Sequence, residues 1–472
     1  MQKDTHSAAE NTRNTGITGN TGTDINSLDV PVNFNWNRDE SPLSPIPANI
    51  PGEPSAQQVV RTQILSECLR DGLQGIAGYP TVDAMMDYLR ILHDFGVQNA
   101  TVGIYPGNAD RIDATIKQLL ARMRDELPGI VPSVLSLCTE ESLKWTGDCK
   151  DIHPGLESVV FMGSAPSRRL VQGWDLDFIL HRLETFIKKT VEMGIPVIAG
   201  TEHTTQTSPE DLRAITRTQV ESGAYVVAMA DTIGVIRPLG TYRMVRFIRE
   251  ECAALGVPDI PVDWHGHRDT GNALGNAMAA IAAGANRIHV VSRGVGERSG
   301  NASLEEVVLN LAAIEAEAGL PVSWDMSQLL KLITFYEEMV GVEPPEHGVL
   351  GKRYSHTSSG IHTDAILKAH HLADRARAAS NPALEATLRE MSRTVYSAVD
   401  PAAIGGAPSV AVSPWSGHSS VKLACMLSGR DPGALSPETV EGLLARANEL
   451  GRELTAQELE ETFTRAQAQA QA

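Results

Sequence analysis

Two histidines lie two residues apart in the segment Asp263-Trp-His265-Gly-His267, which follows a short apolar run of the chain. Residues two apart on a strand project to the same side, so both imidazoles can face one ion. Imidazole pairs suit borderline divalent metals, and an added carboxylate and amide oxygen widen the choice to Mn²⁺ or Mg²⁺, with Zn²⁺ still open. The alternative is a pair of histidines that serve only as structural hydrogen-bonding groups.

A second polar segment, Arg70-Asp71-Gly72, also follows a short apolar run. The carboxylate of Asp71 could bind a metal, and the guanidinium of Arg70 beside it could stabilise a developing oxyanion. The alternative is a surface ion pair that precedes a turn glycine.

Two more segments carry groups suited to acid and base chemistry. Glu202, which is followed by His203, is a candidate base or orienting group, and Thr232 can donate a hydrogen bond to a substrate carboxylate. Taken alone, each could equally be a capping or turn residue.

The segment Gly294-Val-Gly296-Glu-Arg-Ser-Gly300-Asn301 is rich in glycine. It differs from the GxGxxG dinucleotide fingerprint because its third glycine falls one residue late, which disfavours a nicotinamide site. Its glycines allow the backbone to approach a bound ligand closely.

Eight short runs of apolar, β-branched residues alternate with segments that have the hydrophobic periodicity of helices. These elements would position the groups described above. Strands that alternate with single helices indicate parallel βαβ units, and eight such units predict a (β/α)₈ TIM barrel of the α/β class, with its active site at the carboxyl ends of the strands. A doubly wound open sheet is the competing architecture. The predicted strands are Gln63 to Leu65, Asn99 to Ile104, Ile130 to Leu137, Ser158 to Phe161, Pro196 to Ala199, Tyr225 to Ala230, Pro261 to Trp264 and Ile288 to Ser292.

The chain divides into three parts. Residues 1–60 form a polar, Pro-rich segment that we expect to be a disordered tail, residues 61–320 form the barrel, and residues 321–472 form a smaller, mainly helical C-terminal region. In that last region the patterns predict helices at Ser327 to Met339, His370 to Ala379, Ser436 to Leu450 and Thr455 to Ala470.

The composition excludes several classes of protein. The chain has 472 residues, and its 40 Lys+Arg against 58 Asp+Glu give a net charge of −18, which argues against a nucleic-acid surface. Its 5 cysteines lack CxxC spacing, which argues against a disulfide framework or a cysteine zinc site. No run approaches the roughly 18 apolar residues of a membrane span, and no signal-peptide core is evident. We therefore expect a cytoplasmic protein without membrane partners.

In combination and in this order, the segments resemble the signatures of the 2-isopropylmalate synthase and homocitrate synthase family. The similar segments are Arg70-Asp71-Gly72, His265-Gly-His267-Arg-Asp269-Thr-Gly271, the glycine-rich segment ending at Ala302, and Ser359-Gly-Ile-His362-Thr-Asp-Ala-Ile-Leu-Lys368. The similarity runs from about Thr62 to about Lys422.

This resemblance implies an acyltransferase that condenses acetyl-CoA, as co-substrate, with a 2-oxo acid on a metal-bearing barrel. It implies that Asp71, His265 and His267 are metal ligands and that Asn301 is a fourth. It also implies that Arg70 stabilises charge on the substrate, that Glu202 belongs to the acid/base groups and that Thr232 holds the 2-oxo acid carboxylate. The family's pattern further implies a homodimer in which His362 reaches a neighbouring subunit's active site.

Two departures from the family's pattern bear on the substrate. The chain has Glu202-His203 where the family has Glu-Asp, and Arg168 and Arg169 follow the fourth predicted strand. Since arginine binds carboxylate and phosphonate well, we expect substrate-binding roles for His203, Arg168 and Arg169 toward a distal anion. Phosphonopyruvate heads the candidates, followed by oxaloacetate and 2-oxoglutarate, as in a 2-phosphonomethylmalate synthase-like or citrate synthase-like member. Alternatively, the arginines bind coenzyme A phosphates or face solvent.

Other functions stay open. The chain could be a 2-isopropylmalate synthase acting on 2-oxoisovalerate, a lyase resembling hydroxymethylglutaryl-CoA lyase, or a non-catalytic metal-binding scaffold. The lyase would be expected to carry a glycine-rich cysteine loop, and the segment after the eighth strand has no cysteine. A tyrosine found after the barrel in some relatives is not evident around Gly405 to Gly417, and the absence of a long extra domain leads us to expect no leucine regulation.

Overall fold

The computed structural model describes residues 62–471, so the predicted tail lies outside the described residues. Among the helices within this range, none combines the length and the apolar character that crossing a membrane requires.

Eight parallel strands form a closed barrel, in which β1 pairs with both β2 and β8. The TIM-barrel prediction is therefore confirmed. The strands are β1 Gln63–Ser66, β2 Asn99–Ile104, β3 Val131–Leu137, β4 Glu157–Gly163, β5 Val197–Glu202, β6 Val226–Asp231, β7 Val262–Gly266 and β8 Arg287–Val290.

Helices connect the strands, as the alternating pattern predicts. Those from the barrel region are α1 Val82–Phe95, α2 Asp110–Glu126, α3 Glu140–Ile152, α4 Pro166–Gln172, α5 Leu176–Glu192, α6 Pro209–Glu221, α7 Pro238–Ala254, α8 Ala273–Ala283 and α9 Leu304–Glu317. The later helices are α10 Leu329–Val340, α11 Gly360–Ala378, α12 Pro382–Thr394, α13 His418–Leu427, α14 Pro437–Leu450 and α15 Ala456–Gln471. Two short strands, β9 His356–Thr357 and β10 Ser409–Val410, pair in parallel.

Local sequence determines where several helices begin. The side chains of Thr139, Asp175 and Ser208 each accept a hydrogen bond from a backbone N–H of the first turn of α3, α5 and α6. Such caps satisfy backbone donors that have no partner inside the helix, and each contributes about 1 kcal/mol. Strands and helices then bury a common core, which includes the side chains of Leu65 and Trp264.

The chain forms two compact units. The first contains the described residues up to Met86 together with Val97–Ser323, and the second contains Asp87–Gly96 and the residues from Trp324 onward. Most of α1 thus belongs to the second unit, where Tyr88 packs against Tyr336 with ring centroids 5.4 Å apart. The second unit has its own apolar core, which includes Val412, Val421 and Phe463.

Candidate active site

A cavity of about 300 Å³ is lined by residues from most of the strands and the segments that follow them. Its polar lining comes from Glu67, Arg70, Asp71, Gln74, Thr201, Glu202, Thr232, His265, His267, His289, Glu297 and Arg298. The rest of its wall is apolar and comes from Ile104, Leu135, Val159, Phe161, Gly200, Ala228, Met229 and Ala230. The structure therefore brings residues from all five predicted polar segments into one cavity at the carboxyl ends of the strands.

Asp71, His265 and His267 converge at one side of this cavity. The Oδ2 atom of Asp71 lies 3.4 Å from Nε2 of His265 and 3.6 Å from Nε2 of His267. The two Nε2 atoms are themselves 3.2 Å apart. Ligand atoms about 2.1 Å from a common ion are separated by about 3.0 to 3.4 Å, so the three atoms have the spacing of a metal-ligand set.

Asn301 and Gly300 add to this set. The Oδ1 atom of Asn301 is buried and has no hydrogen-bond partner among the described residues, whereas its Nδ2 donates to the carbonyl of Val295. Nδ1 of His267 lies 3.2 Å from the Gly300 carbonyl oxygen, which can only accept a hydrogen bond. The Nε2 atom of His267 is therefore left unprotonated, as a ligand must be, and the residues present fit a divalent metal.

The protonation states of these groups also suit metal binding. Burial, followed by the nearby His265, lowers the pKa of His267 from 6.5 to about 4. Burial likewise lowers the pKa of His265. Burial opposes ionisation of Asp71, but Arg70 and the two histidines hold the pKa of this carboxyl below its ordinary value. At neutral pH the site therefore presents two neutral imidazoles and one carboxylate.

A second group of potential ligands lies next to the first but is already paired. Ligand atoms of Glu67, His265 and His289 lie within 4.8 Å of one another. However, Glu67 accepts from Arg70 at 2.7 Å, and His289 bridges Glu67 at 3.3 Å and Asp263 at 3.1 Å. Burial lowers the pKa of His289, but the two carboxylates raise it above its ordinary value, which favours a charged imidazolium over a metal ligand.

Arg70 lies between the two groups. Its Nε donates to Glu67, its Nη1 lies 3.3 Å from Asp71 Oδ2, and its side chain is 11% exposed. Burial opposes ionisation of Glu67, yet Arg70 and His289 lower its pKa to about 2. The carboxylates thus hold the guanidinium in a fixed orientation at the cavity wall.

Thr232 and Glu202 lie on the wall formed by β5 and β6. The Thr232 hydroxyl oxygen accepts a hydrogen bond from the backbone N–H of His203 at 2.7 Å, so its own proton can be donated elsewhere. A carboxylate oxygen of Glu202 lies 3.6 Å from Nη2 of Arg168, and the side chain of Glu202 is 34% exposed. A hydroxyl donor and a half-exposed carboxylate therefore face the same cavity.

The three groups expected to bind a distal anion do not line this cavity. Arg169 forms an ion pair with Asp211 at 2.6 Å. The Nε of Arg168 and the Nδ1 of His203 are buried without hydrogen-bond partners among the described residues. Burial lowers the pKa of His203, which favours a neutral ring. Arg168, Arg169 and His203 are not among the residues that line the cavity.

The sequence patterns did not identify Arg298 or Tyr396 as candidate site residues. Arg298 lines the cavity, pairs with Asp269 at 2.8 Å and donates to the carbonyl of Thr232. In the second unit, the ring of His362 stacks on Tyr396, with centroids 4.0 Å apart and planes 19° apart. Tyr396 follows the polar helix α12 and precedes the Gly405 to Gly417 segment in the chain, and its ring contact with His362 identifies it.

The matching family model is HMGL-like, and it covers residues 61–335. This chain belongs to the HMGL-like family. A probable 2-isopropylmalate synthase from Methanopyrus kandleri is 28% identical over 65% of this chain and 58% of the relative. A homocitrate synthase from the same organism is 31% identical over 58% of this chain and 60% of the relative. The match thus spans little more than half the length of these relatives.

A solved structure shares the barrel fold. A hydroxymethylglutaryl-CoA lyase from Pseudomonas aeruginosa has a TM-score of 0.50 and 19% sequence identity, covering 61% of this chain and 95% of that chain. At this identity the similarity shows the barrel fold alone.

Proposed function

We propose that this chain condenses acetyl-CoA with a 2-oxo acid in a Claisen-type acyl transfer. The observation that carries the proposal is the convergence of Asp71, His265 and His267 beside Arg70 in one cavity. The names of the synthase relatives support the same chemistry.

The substrate is held by groups with complementary charge. A divalent metal at Asp71, His265 and His267, with Asn301 beside them, would act as a Lewis acid toward the 2-oxo group. The Thr232 hydroxyl donates a hydrogen bond to the substrate carboxylate, since its oxygen already accepts one from the backbone N–H of His203. Arg70 stabilises the negative charge that develops on the carbonyl oxygen.

The reaction needs a base for the weakly acidic methyl group of the thioester. Glu202 is the group proposed for this step, since it lines the cavity and, among the described residues, its carboxylate has only an ion pair to Arg168 at 3.6 Å. The methyl carbon then bonds to C2 of the oxo acid, and the resulting alkoxide takes up a proton. Hydrolysis of the thioester finally releases the coenzyme A thiol and a second carboxylate.

Two classes of 2-oxo acid are candidates. A distal anion is supported by Arg168, whose buried Nε has no hydrogen-bond partner among the described residues. An apolar substituent is supported by the wall of Leu135, Val159, Phe161 and Met229, and we place this class first because burying a charge against such a wall is costly.

The proposal is tested by measuring thiol release from acetyl-CoA with added Mn²⁺ or Mg²⁺. The panel contains 2-oxoisovalerate, phosphonopyruvate, oxaloacetate and 2-oxoglutarate, and kcat/KM is compared between them. Thiol release that depends on a 2-oxo acid supports the proposal. Cleavage of hydroxymethylglutaryl-CoA without condensation would instead support a lyase, and the absence of both would support a scaffold.

The same panel separates the two substrate classes. The apolar class predicts the highest kcat/KM for 2-oxoisovalerate, with little effect of Arg168→Gln. The anionic class predicts a higher kcat/KM for the anionic acids than for 2-oxoisovalerate. It also predicts that Arg168→Gln lowers kcat/KM for the anionic acids by about ten- to a hundredfold, the value of one charge-assisted hydrogen bond. Arg217→Gln on α6, which lies far along the chain from Arg168, is the matched control.

A further inference from the structure

We propose that the second unit binds a small organic oxyanion in a cavity of its own, at a site formed by Tyr354, Arg393 and Tyr396. This cavity has a volume of about 180 Å³. All of its lining residues lie between Tyr354 and Leu427, so it is separate from the barrel cavity.

Several hydrogen-bond donors in the wall of this cavity have no acceptor among the described residues. Nη2 of Arg393 and the hydroxyls of Tyr354 and Tyr396 form no hydrogen bonds with residues that the structure describes. Burial raises the pKa of Tyr354, so its hydroxyl stays protonated and able to donate. A ligand that brings several acceptor oxygens satisfies such a wall.

His370 adds another donor. Burial, followed by the charge of Arg389, lowers the pKa of His370, and its ring is therefore neutral at physiological pH. Nδ1 of His370 lies 3.3 Å from Nη1 of Arg389, which can only donate. The proton of the neutral ring is thus on Nε2, which makes that atom a donor as well.

Carboxylates that do not line the cavity hold the guanidinium groups of Arg393 and Arg389 in place. Nε of Arg393 donates to Asp400 at 2.7 Å, and Arg389 pairs with Asp374 and, at 3.6 Å, with Glu385. None of these three carboxylates is among the residues that line the cavity within the described part of the chain. The arginines are therefore oriented in advance, which reduces the entropy lost when an anion binds.

The remaining lining restricts the class of ligand. Ile366, Val410, Leu423 and Leu427 form an apolar part of the wall, which suits a short aliphatic group. Because no carboxylate lines this cavity in the described residues, an ammonium group would have no charged partner there. The lining thus fits an aliphatic carboxylate or phosphate better than an amino acid.

Tyr396 connects this cavity to His362. One face of the Tyr396 ring stacks on His362, and the residue also lines the cavity. A ligand that accepts a hydrogen bond from the Tyr396 hydroxyl would restrict the motion of both rings. Occupancy of the cavity can therefore influence any function that His362 performs.

Binding of two matched probes to the intact chain, measured by calorimetry, tests the proposal. The probes are 4-methylpentanoate and 3-methylbutyl phosphate, which share an aliphatic part and differ in their anionic group. We expect at least one of them to bind. The probe that binds more tightly shows whether the site prefers a carboxylate or a phosphate. Leucine, which adds an ammonium, should bind at least tenfold more weakly than 4-methylpentanoate.

Variants locate the binding. Arg393→Gln should weaken binding by about ten- to a hundredfold, as the loss of a charge-assisted hydrogen bond predicts. Tyr354→Phe provides a second test that leaves the Arg393–Asp400 pair intact, and melting temperatures establish that each variant is folded. Arg446→Gln is the matched control, because Arg446 pairs with Glu458 and neither residue lines the cavity.

Three results would overturn the proposal. The first is that neither probe binds at millimolar concentration. The second is unchanged affinity in both Arg393→Gln and Tyr354→Phe, and the third is that Arg70→Lys, a change in the barrel cavity, removes the binding. Each readout is independent of enzymatic activity, so failure here is distinguishable from failure of the proposed function.

Discussion

Nδ1 of His267 lies 3.2 Å from the carbonyl oxygen of Gly300, and this contact determines which nitrogen of the ring can bind a metal. Gly300 has a φ of 100°, and a Cβ at this position would lie 1.8 Å from the Gly294 carbonyl oxygen. Only glycine therefore allows the loop after β8 to place this carbonyl against the histidine. The glycine-rich segment thereby orients a ligand that comes from β7.

The first prediction concerns the metal ligands. Replacing both His265 and His267 by Gln should abolish stoichiometric binding of Mn²⁺ or Mg²⁺ and reduce turnover to background, because Asp71 and Asn301 cannot hold the ion alone. Metal content after gel filtration and thiol release measure the two effects. The exposed His181, replaced by Gln, is the control. Retention of both metal and activity in the double variant would mean that the metal-site assignment is wrong.

The second prediction concerns the pH dependence of metal binding. Protons compete with the metal for His267, whose pKa burial lowers from 6.5 to about 4. Affinity for Mn²⁺ should therefore change little as the pH falls from 8 to 6 and should drop only as the pH approaches the lowered value. Calorimetric titrations across this range measure it. A loss of about threefold already between pH 7 and 6, as proton competition at a pKa of 6.5 gives, would indicate an ordinary imidazole and contradict the prediction.

Much of the barrel could be predicted from the sequence because the hydrophobic pattern of each strand and helix is local. The β2 prediction, Asn99 to Ile104, coincides with the observed strand. Other strands are longer at their carboxyl ends than predicted, as β5 is at Val197–Glu202, because polar residues continue the ladder there. These polar ends carry residues of the candidate site, so apolar patterning alone stops short of it.

The second unit could be predicted less well. The predicted helix His370 to Ala379 is the last part of α11, and α12 was not predicted at all. Their polar stretches are stabilised by ion pairs such as Arg377 with Glu385, which hydrophobic periodicity does not report. The stacking of His362 on Tyr396 depends on the packing of these helices, and no spacing rule in the sequence indicates it.

The third prediction concerns Arg70. Arg70→Lys should retain fold and metal but lower kcat by about 10² to 10³, the effect of removing one oxyanion donor. A lysine ammonium cannot pair with Glu67 and Asp71 and also keep the planar donor geometry of a guanidinium. Turnover, metal content and melting temperature separate the effects. Arg122→Lys on α2 is the control, since Arg122 pairs with Asp83 and Glu126 away from the cavity. Unchanged turnover in Arg70→Lys would assign the guanidinium to structure.

The last prediction concerns Thr232, whose hydroxyl has its acceptor capacity occupied by the backbone N–H of His203 at 2.7 Å. Thr232→Val preserves the shape of the side chain but removes the donor proposed for the substrate carboxylate. It also leaves the His203 N–H without its acceptor. We expect KM for the 2-oxo acid to rise by about ten- to a hundredfold, the value of a hydrogen bond to a charged group, while KM for acetyl-CoA changes little.

Thr232→Ser is the matched variant, because it restores both the donor and the acceptor and removes only a methyl group. It should return KM for the 2-oxo acid to within about threefold of the original value. If Ser and Val raise this KM equally, the methyl group rather than the hydroxyl is what matters at position 232. If Val instead lowers kcat and leaves KM unchanged, the hydroxyl acts on the transition state, and the substrate carboxylate must be bound by another group, for which Arg298 beside Thr232 is the nearest cation on the cavity wall.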